Sequence, residues 1–142
     1  MVVDTSVLFD ALVPGPHTAT ARALLDSAGE VAAPDLLMSE IAGALTRAVR
    51  ARKLTRREAE EVFVRARQIS PELIATRSLL ARAFDLSLEL AHPTADCVFL
   101  SHAERDGDKL VTSDLRFARK VAASRYARFV VALPDWAPEP SR

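Results

Sequence analysis

Apolar positions recur along this chain in two rhythms. Short apolar runs alternate with stretches in which apolar residues return every three or four positions, and that alternation predicts a parallel sheet flanked by helices. Met1 to Val3 is the first run and reads as a strand, with a helix carrying Asp10 after it. Over 17–28, Ala21, Leu24, Leu25 and Ala28 have helical spacing with Gly29 as a stop, and Glu30 to Ala33 reads as a second strand closed by Pro34. From Asp35 to about Arg52, Leu37, Ile41, Leu45, Ala48 and Val49 form the apolar stripe of an amphipathic helix. Thr55-Arg56-Arg57-Glu58 has the form of a capping box, and Val62, Ala66 and Ile69 continue the stripe of the helix that it starts. Glu72 to Thr76 reads as a third strand. Leu79, Leu80, Ala83, Phe84, Leu88 and Ala91 then predict one helix face, and Pro93-Thr94 opens another helix running through Val98, Phe99 and Ala103 to Gly107. Lys109 to Thr112 is a strand ending in Ser113-Asp114, followed by a basic helix from about Leu115 to Ala123 and a last strand from Phe129 to Leu133.

The expected architecture is therefore α/β: a three-layer αβα sandwich around a short, mainly parallel central sheet of 4–5 strands. At 142 residues the chain has the size of one domain, 1–142, with a core over about 1–133 and an irregular tail over 134–142. Cys97 is the only cysteine, so no internal disulfide can form. No apolar stretch approaches the roughly 20 residues that span a bilayer, and Met1-Val2-Val3 meets Asp4 without a leader-like apolar segment; a cytoplasmic protein with no membrane partner is expected.

The 19 basic and 19 acidic residues balance, but they are segregated. Residues 1–46 carry one Arg against six acids, 47–67 eight bases against three acids, 68–114 four against eight, and 115–142 six against two. A locally basic stretch can steer a polyanion whatever the total charge. Arg47, Arg50 and Lys53 in one such stretch and Arg116, Arg119 and Lys120 in the other are candidate contacts for a polyanion, and the same residues also read as solvated helix faces.

Acids interrupt the apolar pattern at four informative places. Asp4 ends the first strand and Asp114 ends the strand near Val111, and in open α/β sheets residues at the carboxyl ends of strands project into the ligand crevice. Aspartate is also a favoured helix N-cap, so each has an alternative structural use. Glu40 lies beside the Leu37/Ile41 stripe, and Asp96 occupies the first turn of the helix bearing Val98 and Phe99, with no Lys or Arg within a helical turn. A carboxylate near a buried face is costly unless it is paired or bound to a cation. Four acids in one crevice would call for Mg²⁺ or Mn²⁺, hard cations that take oxygen ligands, and such a site suits phosphodiester chemistry.

D-T-S-V-L-F-D-A at the start, Ser39-Glu40, A-D-C-V-F-L-S-H-A-E and L-V-T-S-D-L-R-F-A together resemble a PIN-domain ribonuclease, most closely a VapC-type toxin of a bacterial toxin–antitoxin pair. The resemblance extends to Leu133. It implies a catalytic, metal-binding acidic quartet of Asp4, Glu40, Asp96 and Asp114, with Asp4 and Asp96 as direct ligands and Ser6 and Thr112 as hydroxyls bordering the site. It further implies an Mg²⁺-dependent endoribonuclease (Mn²⁺ a possible substitute) acting on RNA such as tRNA or rRNA, a homodimer, and silencing by a cognate antitoxin. The amphipathic pair over 35–69 offers apolar surface for a dimer. Two positions depart from the family pattern: His92-Pro93-Thr94-Ala95 stands where many relatives have an aromatic residue, and Arg116 where some have a further acid.

Other residues are not assigned to the site. The five-residue spacings from His92 to Cys97 and from Cys97 to His102 match no common zinc pattern, and Cys97 reads as a small buried residue. Asp10 could supplement the metal site but reads better as a surface residue, Asp106 and Asp108 read as solvated flanks of the Gly107 turn, and Trp136 as either packing the tail down or anchoring a partner. Two further functions fit an acidic crevice: a PIN-fold binding module working through an antitoxin complex without turnover, and a phosphotransfer receiver or aspartyl-phosphate phosphatase. The last class wants a second Asp two residues after the first, which Asp4-Thr5-Ser6 lacks.

Overall fold

The computed structural model describes residues 1–27, 31–69 and 71–138. Among these, the five strands are β1 (Val2–Val3), β2 (Ala32–Pro34), β3 (Glu72–Ile74), β4 (Leu110–Thr112) and β5 (Val130–Ala132), in the order β3-β2-β1-β4-β5 with every neighbouring pair parallel. Seven α-helices connect them among the described residues: α1 (Thr5–Leu12), α2 (Thr18–Ser27), α3 (Leu36–Arg50), α4 (Arg56–Gln68), α5 (Leu80–Leu90), α6 (Thr94–Asp106) and α7 (Leu115–Ala122). The expected three-layer α/β fold is present. The stop at Ala28-Gly29, the start of the second strand at Glu30 and the tail beyond Pro138 lie outside the described residues.

Alternation of side chains across the sheet sets the two cores. Val2 pairs with Leu110 and faces the larger core, while Val3 pairs with Val111 and faces the smaller one. The larger core takes Leu37, Ile41 and Leu45 of α3, Val62 and Ala66 of α4, Leu86 of α5 and Phe99 and Leu100 of α6. The smaller takes Ala21 and Leu24 of α2 with Leu133. Because α1 gives Leu8 and Leu12 to one and Val7 and Ala11 to the other, it is anchored on both sides immediately after β1. Trp136 packs against the smaller core, so it holds the tail down.

Local devices fix where the helices start and stop. The capping box of α4 forms: Glu58 N–H donates to Thr55 Oγ1 at 3.2 Å and Thr55 N–H to Glu58 Oε2 at 2.7 Å. Asp35 precedes α3 but does not cap it; its carboxylate accepts from Thr76 N–H at 2.9 Å, and Thr76 Oγ1 accepts from Leu36 N–H at 3.0 Å. That exchange ends β3 at Ile74 and puts Thr76, expected in the strand, into a 3₁₀ turn. α3 ends with Arg52 at φ 56°, where the Lys53 and Arg52 N–H groups close back on Ala48 and Val49 carbonyls.

The expected apolar face of α5 requires correction. Leu79, Ala83, Leu86 and Leu90 are buried, whereas Leu80, Phe84 and Leu88 are 49%, 56% and 67% exposed. Two apolar stripes run along this helix, and α6 covers only one. Asp108, expected to be solvated, is half-buried and accepts from Lys109 N–H at 2.7 Å. No described helix is long and apolar enough to cross a membrane.

Candidate active site

The sheet order reverses direction between β1 and β4, because β2 and β3 extend to one side of β1 and β4 and β5 to the other. At such a switch point the loops leaving two adjacent strands turn apart and open a crevice at their carboxyl ends. Asp4 leaves β1 there and Ser113-Asp114 leave β4. Asp4 occupies the position before α1 without capping it. Its carboxylate instead accepts at Oδ2 from Thr112 Oγ1 at 2.6 Å and from Ser6 Oγ at 2.9 Å. Both hydroxyls also accept from the second loop, Thr112 from Asp114 N–H and Ser6 from Ser113 N–H, each at 3.0 Å. Ser6 and Thr112 thus tie the two strand ends together around Asp4.

Glu40 arrives from α3, where Leu37 and Ile41 bury the helix and set Glu40 at the rim against α1. Thr5 Oγ1 donates to its Oε1 at 2.9 Å. Asp96 stands in the first turn of α6, and the partner missing among Lys and Arg proves to be His92, whose Nε2 lies 2.6 Å from Asp96 Oδ2. Asp114 does what its alternative reading anticipated, accepting from Phe117 N–H at 3.0 Å as the N-cap of α7. It also borders the crevice: Asp4, Glu40, Asp96 and Asp114 line one open pocket of about 320 Å³. Asp10, read from sequence as a surface residue, lines the same pocket one helical face along α1, and so does Arg47.

The electrostatics of the pocket are those of crowded acids. Burial pushes the Asp4 carboxyl above the ordinary aspartate range; the Thr112 and Ser6 hydroxyls pull it back, and the charge of Asp96 pushes it further up. Burial likewise raises Glu40, with Thr5 and Arg47 opposing and Asp4 and Asp96 adding to the rise. All the donors are carboxylate or hydroxyl oxygens, the set a hard divalent cation takes, and a cation would relieve both the desolvation and the repulsion. The residues present therefore fit Mg²⁺ or Mn²⁺ chemically. In the described residues no three His, Cys, Asp or Glu side chains are drawn together tightly enough to form a finished metal cage. The expected quartet is gathered in one pocket and spread around its walls.

The basic residues sort into different surroundings. Arg47 faces the acidic pocket, whereas Arg50 borders an apolar groove between α3 and α4, and Arg119 a groove between α7 and β5. Lys120 Nζ donates to the Ala91 carbonyl at 2.8 Å, tying α7 to the end of α5. Lys53 and Arg116 are exposed, and Arg56 and Arg57 form exposed pairs with Glu60 and Glu61. Cys97 is buried, with its thiol pushed up to about 11 by burial and by the charge of Asp96, so it is a packing residue and not a nucleophile. Sequence reasoning missed Thr5 and His92, and it favoured a surface role for Asp10 over a place at the metal site. The four-residue interval from His92 to Asp96, which aligns side chains on a helix face, was the available signal for the histidine.

No curated protein matches the chain. A family model described as the PIN domain, a family whose members are generally nucleases, matches residues 1–122. That match spans β1 through α7 and all four acids of the pocket, and by it the chain belongs to the PIN domain family.

Proposed function

We propose that this protein is an Mg²⁺-dependent endoribonuclease, the toxin of a toxin–antitoxin pair, cleaving RNA such as tRNA or rRNA by attack of water on a phosphodiester. The observation that carries the reading is the pocket itself: four carboxylates from four separate elements meet at the switch point of the sheet, in a family of nucleases. Asp4, Glu40, Asp96 and Asp114 are the residues that would hold the cation. When bound, Mg²⁺ (or Mn²⁺) supplies a more acidic water and charge neutralisation at the phosphate. The chain's own part is to place groups. Thr112 and Ser6 fix Asp4, and Thr5 fixes Glu40. Arg47, on the wall of the same pocket, is a cationic group for the phosphate backbone, with the exposed Lys53 and Arg116 as outlying contacts.

The toxin role and its antitoxin rest on the likeness of the four motifs to VapC-type proteins. Support for a homodimer comes from Leu80, Phe84 and Leu88, three exposed apolar side chains spaced four residues apart on α5. The test is cleavage of total bacterial RNA by purified, antitoxin-free protein with Mg²⁺, with Mn²⁺ and with EDTA, beside Asp96→Asn. Discrete fragments that require both metal and Asp96 are expected. Absence of fragments under every metal would favour a PIN-fold binding module without turnover.

A further inference from the structure

The turn between α5 and α6 is held with unusual thoroughness for a surface connection. Ala91 ends α5 in the left-handed region at φ 48°, and the next residue is clamped at both backbone groups: His92 N–H donates to the Ser87 carbonyl at 3.2 Å and Ser87 Oγ donates to the His92 carbonyl at 2.5 Å. Thr94 Oγ1 donates to Ser87 Oγ at 3.0 Å, and Lys120 reaches over from α7 to the Ala91 carbonyl. The imidazole that projects from this turn is nearly buried and lies flat on the Phe117 ring, with centroids 4.5 Å apart and an interplanar angle of 18°. Its position and plane are therefore fixed by α5 and α7 before it touches α6. Its Nε2 then meets Asp96 Oδ2 at 2.6 Å; a carboxylate only accepts, so the imidazole nitrogen donates.

Phe117 serves both late acids of the pocket. Its backbone N–H holds Asp114 Oδ1, and its ring supports the imidazole that holds Asp96. Across the quartet, the bonds from side chains and from the α7 N-terminus fall on one oxygen of each acid: Oδ2 of Asp4, Oε1 of Glu40, Oδ2 of Asp96 and Oδ1 of Asp114. Hydroxyls do this for Asp4 and Glu40 and a helix cap does it for Asp114. Asp96 alone relies on a ring from another element.

We propose that His92 is a positioning residue for the metal site: stacked on Phe117 and donating to Asp96 Oδ2, it fixes the Asp96 carboxylate in the orientation in which its other oxygen meets a divalent cation. The proposal rests on the metal-site reading of the acidic pocket. Donors that orient metal-ligating groups are typically worth about 10–100-fold in metal affinity when removed. His92→Phe keeps a ring for the stack and loses the donor; His92→Gln keeps a donor near the place of Nε2 and loses the ring. His92→Met, close in size to Gln, has neither and replaces the Phe variant as comparator if that one fails to fold.

The experiment is calorimetric titration of the metal-free full-length protein with Mn²⁺, run on wild type, Asp96→Asn and the His92 variants, with thermal melts of the metal-free proteins beside it. His92→Phe should bind Mn²⁺ about tenfold or more weakly than wild type while melting within a few degrees of it, and His92→Gln should recover most of the affinity. A merely structural role would lower the melting temperature and leave the affinity of the folded protein unchanged. Mn²⁺ bound equally well by wild type and the His92 variants, with binding lost in Asp96→Asn, overturns the role of His92. So does an equal loss in the Gln and Met variants. Binding unchanged in Asp96→Asn itself overturns the metal-site reading beneath it.

Discussion

Asp4→Asn should make the metal-free protein more stable while destroying its activity. The carboxylate is 8% exposed and its pKa is raised above the ordinary value, which means that burial and the nearby Asp96 charge outweigh the Thr112 and Ser6 hydrogen bonds. An acid whose pKa is raised in the folded state costs stability when it is ionised. The cost is absent below the ordinary aspartate value of 3.8, where both states are protonated, and complete above the folded value. Asn keeps an acceptor oxygen for Thr112 and Ser6 and carries no charge. Relief of that cost is expected near neutrality, read as a higher melting temperature of the metal-free variant. The assay is a series of melts in EDTA from pH 4 to 7.5. The variant should match wild type at the acid end and rise above it as pH increases. With Mg²⁺ present the order should close or reverse, because only wild type gains binding energy from the cation. Asp4→Asn melting below wild type at pH 7.5 in EDTA would show the opposite, that the charge is a net source of stability.

Four other outcomes follow from particular residues. Asp114→Asn retains an oxygen for the Phe117 N–H and should lose RNA cleavage with an unchanged melt, whereas Asp114→Ala should also lose about 1 kcal/mol of stability, which denaturant titration would detect. Arg52 sits at φ 56° in the closing turn of α3, so Arg52→Gly should stabilise by about 1 kcal/mol in the same titration. His102 is fully buried, and burial lowers its pKa against the opposing pull of Asp106, whose Oδ2 lies 3.1 Å from Nε2. Because the unfolded chain takes up that proton first, stability should fall as pH drops below about 6.5, and His102→Leu should flatten the slope of melting temperature between pH 7 and 5.5. Phe84→Glu should convert a dimer to a monomer in light scattering without lowering the melting temperature of the monomer, since the side chain is exposed.

Much of the architecture was legible because its signals are local. The runs Val2-Val3 and Leu110-Val111 are short, apolar and followed by an acid, and that pattern alone places Asp4 and Asp114 at strand ends. The capping box at Thr55 and the stop at Gly107 are likewise written into a few consecutive residues. Long-range choices were not legible. On α5, Leu79/Ala83/Leu86/Leu90 and Leu80/Phe84/Leu88 are both apolar at helical spacing, and only the packing of α6 decides which is buried. Asp35 has the sequence setting of a cap and instead exchanges hydrogen bonds with Thr76, 41 positions away. In the pocket, the four acids were identifiable from their interruption of apolar patterns, but Thr5 and His92 act across elements. Asp10 reaches the pocket because α1 begins directly after Asp4, the single residue between strand end and helix start.

The proposed activity depends on Asp4, Glu40, Asp96 and Asp114 holding a divalent cation. The most direct test is an anomalous difference map from crystals of the wild-type protein soaked in Mn²⁺. A peak is expected at the carboxyl ends of β1 and β4, about 2.0–2.6 Å from Asp4 and Asp96 oxygens, and it should disappear in Asp96→Asn. Saturating Mn²⁺ with no peak in that pocket, in crystals of protein that cleaves RNA in the same buffer, would contradict it.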